Sequence, residues 1–482
     1  MNIPEAVLEV DKKLKKAGFQ SYLVGGCVRD FLLSIAPKDW DVTTNAAPAE
    51  IQKFFPDSVY ENRFGTVGVK TESEDPTLKI VEVTTFRKEG KYTDKRHPDE
   101  ITFAKTVEED LSRRDFSINA LALDPAANKI IDPYGGQADL KKKTIRAVGN
   151  PSERFQEDAL RLLRAVRFAA QLGFTIEKET AAALKKHAGL LEFIAEERIA
   201  EEFSKLLMTK LAHEGIRWLE EYGLLKYIVP ELREGINMGQ NKHHIYTVFE
   251  HNVRALEYAA KENFPLDLRI ASLLHDVGKS RTKNGEGLNS TFYGHQVVGE
   301  RMAIKILDRL RYPKPMIEKI ALLIREHMFV YDPEVVTLRG VRRLLARVGP
   351  EYINDLLRIR EADRIGSGVP KAQPYRLRYL KAMIEKVKKD PISTKMLKIN
   401  GNDIMKLLKI EPGPKIGQIL AVLLEEALKE PGLNTKTALS KRAAELNKLS
   451  EKELTTMREK ARRSAENAQK RIDEEIKKKY FV

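Results

Sequence analysis

The 482-residue sequence predicts an α+β unit at its N-terminal end and a purely helical remainder. Three observations carry that prediction. Short β-branched or alternating runs, bounded by Gly, Pro, Asp or Asn, crowd between Ser21 and about residue 147. After Pro151 the texture changes to stretches such as EDALRLLRAVRFAAQLGF and ERIAEEFSKLLM, with Ala, Leu, Glu and Arg at helical spacing. Hydrophobic residues make up 42% of the chain, which supports real cores and excludes global disorder.

Taken in order, MNIPEAVLEVDKKLKKAGF reads as an amphipathic helix with charges spread through it. It lacks the apolar centre of a signal peptide, and no run of 18 apolar residues occurs, so a soluble cytoplasmic protein is expected. The one cysteine, Cys27, excludes an intrachain disulfide and fits a reducing compartment. Strands are expected at 21–24, 66–70, 79–85, 101–104, 120–123 and 129–131, with helices at 28–34 and 48–55, in a mixed or antiparallel sheet. Pro230 and the polar stretch 237–244 mark a boundary, and the PGP at 412–414 breaks two helices. From about residue 434 the sequence is Lys/Glu/Ala-rich with few large apolar residues and reads as a long exposed helix. The resulting segments are 1–147, 148–235, 236–372 and 373–482. A net charge of +14 favours a polyanionic partner over a bland surface only modestly.

The most informative stretch is SYLVGGCVRDFLLSIAPKDWDVTT. A strand ends at Gly25-Gly26 and a helix starts directly after it. Two residues without a Cβ let the backbone approach a phosphate, and Arg29 lies one turn into that helix. Taken alone, the glycine pair is a plain tight turn. Farther on come Asp39, Trp40 and Asp41. On a strand, the period of two puts both carboxylates on one face and Trp40 on the other. Such a pair repels itself unless a hard divalent cation such as Mg²⁺ lies between. Taken alone, the pair is a solvated turn; the two motifs together favour metal and triphosphate chemistry.

GGCVRDFLLSIAPKDWDVTT resembles the signature of the polymerase β-like nucleotidyltransferase superfamily, and specifically the class II tRNA nucleotidyltransferases, or CCA-adding enzymes. The likeness continues through ENRFGTVGV (61–69), EEDLSRRDFSINALAL (108–123), DPYGGQADLKKKTIRAVG (132–149) and RFQEDALRLLRAVRFAAQLGF (154–174). It implies a polymerase β-like head before an all-α neck. Asp39 and Asp41 would hold catalytic Mg²⁺, Gly26 and Arg29 would contact the triphosphate, and Arg114 and Asp115 the sugar. The superfamily often adds a third carboxylate; Glu82 is the candidate, an ordinary exposed strand glutamate the equal alternative. The segment 86–100 looks like the loop that this family associates with the switch from C to A addition. The A-adding-only and CC-adding-only specialisations stay open.

Base choice has a physical account in the helix expected over 157–173. Asp158 and Arg161, three apart, share a face and present an acceptor beside a donor. Cytosine and adenine each show an amino donor next to a ring-nitrogen acceptor, the complement of that pair. Guanine and uracil do not, and each unpaired group would cost about 1–3 kcal/mol. Arg164 and Arg167 continue around the helix toward phosphates.

Histidine is scarce here, at nine residues, so its placement matters. His251, the pair His275-Asp276, His295, His327 and Asp363 form a ligand-type set for one or two divalent metals, the second metal requirement of the chain. HDVGK resembles the HD-domain phosphohydrolases, which implies an accessory phosphatase or 2′,3′-cyclic phosphodiesterase. The partners implied are CTP, ATP and the acceptor arm of tRNA, read by shape. Lysine and arginine at 141–143, 373–409 and 436–479 are the expected phosphate contacts. Three rivals remain: a protein uridylyltransferase, a phosphohydrolase with a nucleotide-sensing head, and a non-catalytic RNA-binding protein.

Overall fold

Most of the β-branched runs of the N-terminal third pair into one sheet, seen in a computed structural model that describes residues 3–62, 65–89, 101–240, 245–388, 393–450, 452–457 and 459. The chain divides into two units: 1–230 with 309–311, and 231–308 with 312–482. Parts of the segments 86–100, 237–244 and 436–479 singled out above lie outside the described residues.

In the first unit, α1 (Glu5–Lys16) leads into β1 (Ser21–Val24), α2 (Gly26–Leu32), β2 (Asp41–Thr44), α3 (Pro48–Phe54), β3 (Ser58–Asn62), β4 (Thr66–Lys70) and β5 (Ile80–Thr85). A small hairpin, β6 (Arg87–Glu89) with β7 (Ile101–Phe103), precedes α4 (Val107–Ser112), β8 (Ala122–Asp124) and β9 (Lys129–Ile131). Seven strands run in the order β3-β4-β5-β2-β1-β8-β9, antiparallel except for β2 against β5. This is the mixed sheet expected. Val24, Phe86, Val107, Leu111, Ala120, Ala122 and Val148 are packed into one of its cores.

After α5 (Gly136–Lys142) and β10 (Thr144–Ile145) come α6 (Pro151–Glu157) and α7 (Leu160–Leu172). Asn150 caps α6 through its side chain, with Pro151 at the first helical position, where a missing N–H costs nothing. The purely helical reading after Pro151 fails at one point. Thr175–Ile176 forms β11, paired in parallel with β10. Then follow α8 (Lys178–His187), α9 (Glu196–Leu207) and α10 (Ala212–Glu221).

The short α11 (Pro230–Arg233) leads to the helices of the second unit: α12 (Val248–Lys261), α13 (Leu266–Leu274), α14 (His295–Arg309), α15 (Lys314–Glu326), α16 (Leu338–Val348) and α17 (Ile353–Gly366). Thr247 caps α12 and Thr337 caps α16. Helix α12 packs on both α13 and α17, so three helices converge where ligand-type residues were expected. Beyond α18 (Tyr375–Val387), the helices α19 (Gly401–Leu408), α20 (Pro414–Lys429) and α21 (Lys436–Asn447) share a separate core. The long exposed helix expected from 434 is therefore corrected in its first part. Leu439, Ala443, Leu446 and Leu454 are buried against Ile404, Ile419 and Leu423. Apolar residues three or four apart suffice to seat a helix even where they are few. Among the described residues, no helix is long and apolar enough to cross a membrane.

Candidate active site and metal centre

Strand β1 stops because Gly25 turns the chain, at φ +80° and ψ −129°. A Cβ there would lie 2.6 Å from Nη1 of Arg114, so only glycine lets that guanidinium lie over the turn. A Cβ on Gly26 would meet only Arg29, at 3.7 Å. Arg29 is buried and faces inward: Nη1 donates to Asn119 Oδ1 at 2.7 Å and Nε to Asp30 at 2.8 Å. It braces the turn from beneath.

The aspartate pair departs from the strand geometry expected for it. The β1–β2 ladder ends at Leu23 opposite Val42, because β1 turns away at Gly25. Strand β2 therefore opens at Asp41, and Asp39 lies exposed in the bend before it, with Trp40 buried between them. The carboxylates still feel each other. Burial raises the pKa of Asp41, the Arg114 charge opposes that rise, and the Asp39 charge adds to it. Across the sheet, Asp41 pairs in register with Glu82 on β5, and cross-strand partners project from the same face. Asp41 and Glu82 thus face the same side of the sheet, within reach of the Asp39 and Arg114 charges, and oxygen donors of this kind suit a hard divalent cation.

Asp115 is an internal strut. Its Oδ1 accepts from the Phe116 N–H (2.8 Å) and the Asn119 amide (3.1 Å), and its Oδ2 from Arg164 Nε (2.8 Å). Burial works against its charge, but Arg164 and Asn119 outweigh burial and hold its pKa at about 2. Arg164 also faces Glu202 of α9, which ion-pairs Arg167 at 2.6 Å. One connected line results: Arg29, Asn119, Asp115, Arg164, Glu202, Arg167. Sequence reasoning alone misses Asn119 and Glu202. Their signal lies in SINA and RIAEEF, but their partners are far away in the chain.

The single helix expected over 157–173 is corrected. Asp158 has extended backbone (φ −135°, ψ 104°) between α6 and α7, so it shares no helical face with Arg161. Its Oδ1 instead caps α7 by accepting from the Leu160 N–H at 3.1 Å, and its Oδ2 pairs with Arg198 at 3.2 Å. Arg161 is buried and bonds Glu157 (2.7 Å) and the Arg113 carbonyl (2.9 Å).

The second unit brings all six ligand-type residues together. Nε2 of His251 lies 3.0 Å from Asp276 Oδ2 and 3.4 Å from Asp363 Oδ1, and His275 Nε2 lies 3.4 and 3.6 Å from the same atoms. On the other oxygen of Asp276, His295 and His327 approach to 3.2 and 3.6 Å. Asp276 therefore belongs to two donor groups, one per carboxylate oxygen. Gly278 makes this approach feasible, since a Cβ there would come within 2.2 Å of the His295 carbonyl. Backbone carbonyls of Ser272, Phe292 and Ile324 lie 2.7–2.8 Å from Nδ1 of His275, His295 and His327. Nδ1 carries the proton in that geometry, and Nε2 faces the cluster.

Charge at the centre is uneven. Burial opposes ionisation of Asp276 and Asp363, yet Lys279 at 2.6 Å and Arg360 at 2.5 Å hold both well below the usual carboxylate range. Burial would lower His275, but the two carboxylates raise it to about 10. Burial and the neighbouring imidazoles push His327 down to about 4. Inward-facing nitrogens 2.9 Å apart (His251 to His275) and 3.3 Å apart (His295 to His327) need a proton or a cation between them. This donor chemistry fits divalent metal.

The regions that carry these residues match known families. Residues 21–146 match the poly(A) polymerase head domain, 173–236 a probable RNA- and SrmB-binding site of polymerase A, and 243–367 the HD domain. The CCA-adding enzyme of Limosilactobacillus fermentum is 34% identical over 437 residues, covering 90% of this chain and 95% of that protein. An A-adding tRNA nucleotidyltransferase of Deinococcus radiodurans is 34% identical, covering 85% and 92%. The crystal structure of the Bacillus stearothermophilus CCA-adding enzyme in complex with CTP superposes with a TM-score of 0.70 at 27% identity, covering 93% and 98%. With a relative aligned along nine-tenths of its length and the head and HD motifs both matched, the chain belongs to the CCA-adding enzyme family and is a nucleotidyltransferase.

Proposed function

We propose that this chain adds the 3′-terminal CCA to tRNA in the cytoplasm, taking CTP and ATP without a nucleic-acid template. The observation that carries this reading is the register of Asp41 with Glu82, beside Asp39 and under Arg114. Those three carboxylates would hold Mg²⁺, which supplies charge neutralisation at the phosphates and favours ionisation of the attacking hydroxyl. The tRNA 3′-oxygen forms a bond to the α-phosphorus of the nucleotide and pyrophosphate leaves. The turn at Gly26, kept rigid by the Arg29–Asn119–Asp115 line, receives the triphosphate, and Arg114, lying over that turn, meets the sugar. Base reading then falls to the junction rather than to one helix face: Asp158, just before α7, accepts from the amino group in place of Arg198, and Arg161, in the first turn of α7, donates to the ring nitrogen in place of Glu157. Exposed lysines 141–143 extend the phosphate-binding surface.

The segments 1–147, 148–235, 236–372 and 373–482 act as catalytic head, nucleotide-reading neck, HD phosphohydrolase and RNA-binding end. The six-residue centre would hold a second divalent metal, and its activity is hydrolysis of a phosphate ester. Purified protein given transcripts ending before, within and after CCA, each with CTP or ATP alone, tests the main reading. Equal uptake of UTP or GTP removes the base-reading account. A second reading, A addition alone, is favoured by the Deinococcus relative; absence of C uptake on transcripts lacking CCA would select it.

A further inference from the structure

Helix α17 carries two cations beside the metal centre that the proposals above leave without a role. Arg360 gives one nitrogen to Asp363 (2.5 Å) and directs another toward the Tyr331 hydroxyl (3.5 Å). Arg364, one turn later, donates to the same hydroxyl at 3.0 Å. The Arg360 guanidinium lies 5.1 Å from the Tyr331 ring centre, and its Nε is buried with no hydrogen-bond partner. Lys279 contributes a third positive charge through Asp276. Arg360 and Lys279 thus face the two carboxylates, with Arg364 behind them through Tyr331, and any divalent metal that those carboxylates also serve leaves positive charge in excess. A buried guanidinium nitrogen without an acceptor is a cost that an incoming oxyanion would remove.

We infer that Tyr331, Arg360 and Arg364 form the phosphate-binding side of this centre and select a phosphate monoester over a diester. The inference rests on the phosphohydrolase reading of the site. A monoester carries three terminal oxygens and two negative charges, enough to meet metal and two guanidiniums at once. A diester has two terminal oxygens and one charge, and leaves a donor unmet. The step is hydrolysis: a water oxygen bonds to phosphorus, the bond from phosphorus to the ester oxygen breaks, and that oxygen takes a water proton. Inorganic phosphate and a free hydroxyl are the products.

The test uses the full chain loaded with Mn²⁺. Inorganic phosphate is titrated by calorimetry into wild type, Arg364→Gln and Tyr331→Phe, with metal content measured by elemental analysis. Arg364→Gln is expected to weaken phosphate binding about tenfold or more, the loss of one charge-assisted contact, at unchanged metal content. With a transcript ending in a 3′-phosphate, its KM should rise by a similar factor while kcat changes less, and wild type should prefer this substrate to a 2′,3′-cyclic end. Unchanged phosphate affinity in both variants, or a preference for the cyclic diester, overturns the inference. If wild type binds phosphate through Arg364 yet hydrolyses neither transcript, the phosphohydrolase reading falls and the anion site stands. Hydrolysis that both variants leave untouched does the reverse: the phosphohydrolase reading stands and the anion site falls.

Discussion

The two candidate sites of this chain are built in opposite ways. At the head, Asp39 and Glu82 are exposed and Asp41 is half-buried, on strands and a bend within about 45 residues of sequence. In the second unit every one of the six ligand-type residues is buried, the most exposed being Asp363 at 7%, and they come from five helices or helix ends spread over more than 110 residues. An open face suits a large polyanionic substrate. A closed cluster suits small ions and one phosphate group, and its geometry is set before anything binds.

That contrast can be broken by experiment. Asp41→Ala should lower nucleotide incorporation on the order of a thousandfold while leaving the melting temperature near wild type, because burial and Asp39 already disfavour its charge. A large fall in melting temperature would mean that the head carboxylate is structural after all. Asp276→Ala should do the reverse to the fold: it strands buried Lys279 without its carboxylate, and thermal unfolding of the metal-free protein should show a loss of about 3 kcal/mol. Metal content after loading should also fall. Wild-type stability in that variant would end the view of the cluster as a preassembled core.

Asp115 gives the intermediate effect. Its folded pKa of about 2 lies below the ordinary 3.8, so the stability it adds is present above pH 4 and is lost as pH falls through 2. The difference corresponds to about 2 kcal/mol. Both tryptophans, Trp40 and Trp218, belong to the first unit, so urea unfolding followed by their fluorescence reports that unit. Asp115→Asn should flatten the acid limb of the curve. Smallest is the glycine pair: Gly25→Ala should cost about 1 kcal/mol or more through backbone strain and displace Arg114, whereas Gly26→Ala should be close to neutral in melting temperature. Equal effects at the two positions would remove the distinction drawn between them.

What the amino-acid pattern revealed follows the range of the forces involved. Strands such as Thr66–Lys70 and Lys129–Ile131 were legible because alternation and flanking turn residues are local signals. The histidine set was legible because imidazole and carboxylate at helical positions have few other uses in such number. The break at Asp158 was not, since i, i+3 spacing is equally compatible with one unbroken helix. Extended backbone at that position is held by a cap onto Leu160 and by Arg198, forty residues on, which no local window contains. Asn119 and Glu202 escape notice for the same reason: each looks ordinary until its distant arginine is seen. Glu82, the candidate third carboxylate, became a defined neighbour of Asp41 only through sheet register, which strand prediction does not supply.

The chain of contacts from Arg29 to Arg167 makes the glycine turn and α7 mechanically one piece. Under the proposed function, rotating α7 to suit a different nucleobase would drag the glycine turn with it and spoil both. The proposed function would then confine changes of nucleotide preference to side chains at the N-terminal end of α7, while the scaffold between stays frozen.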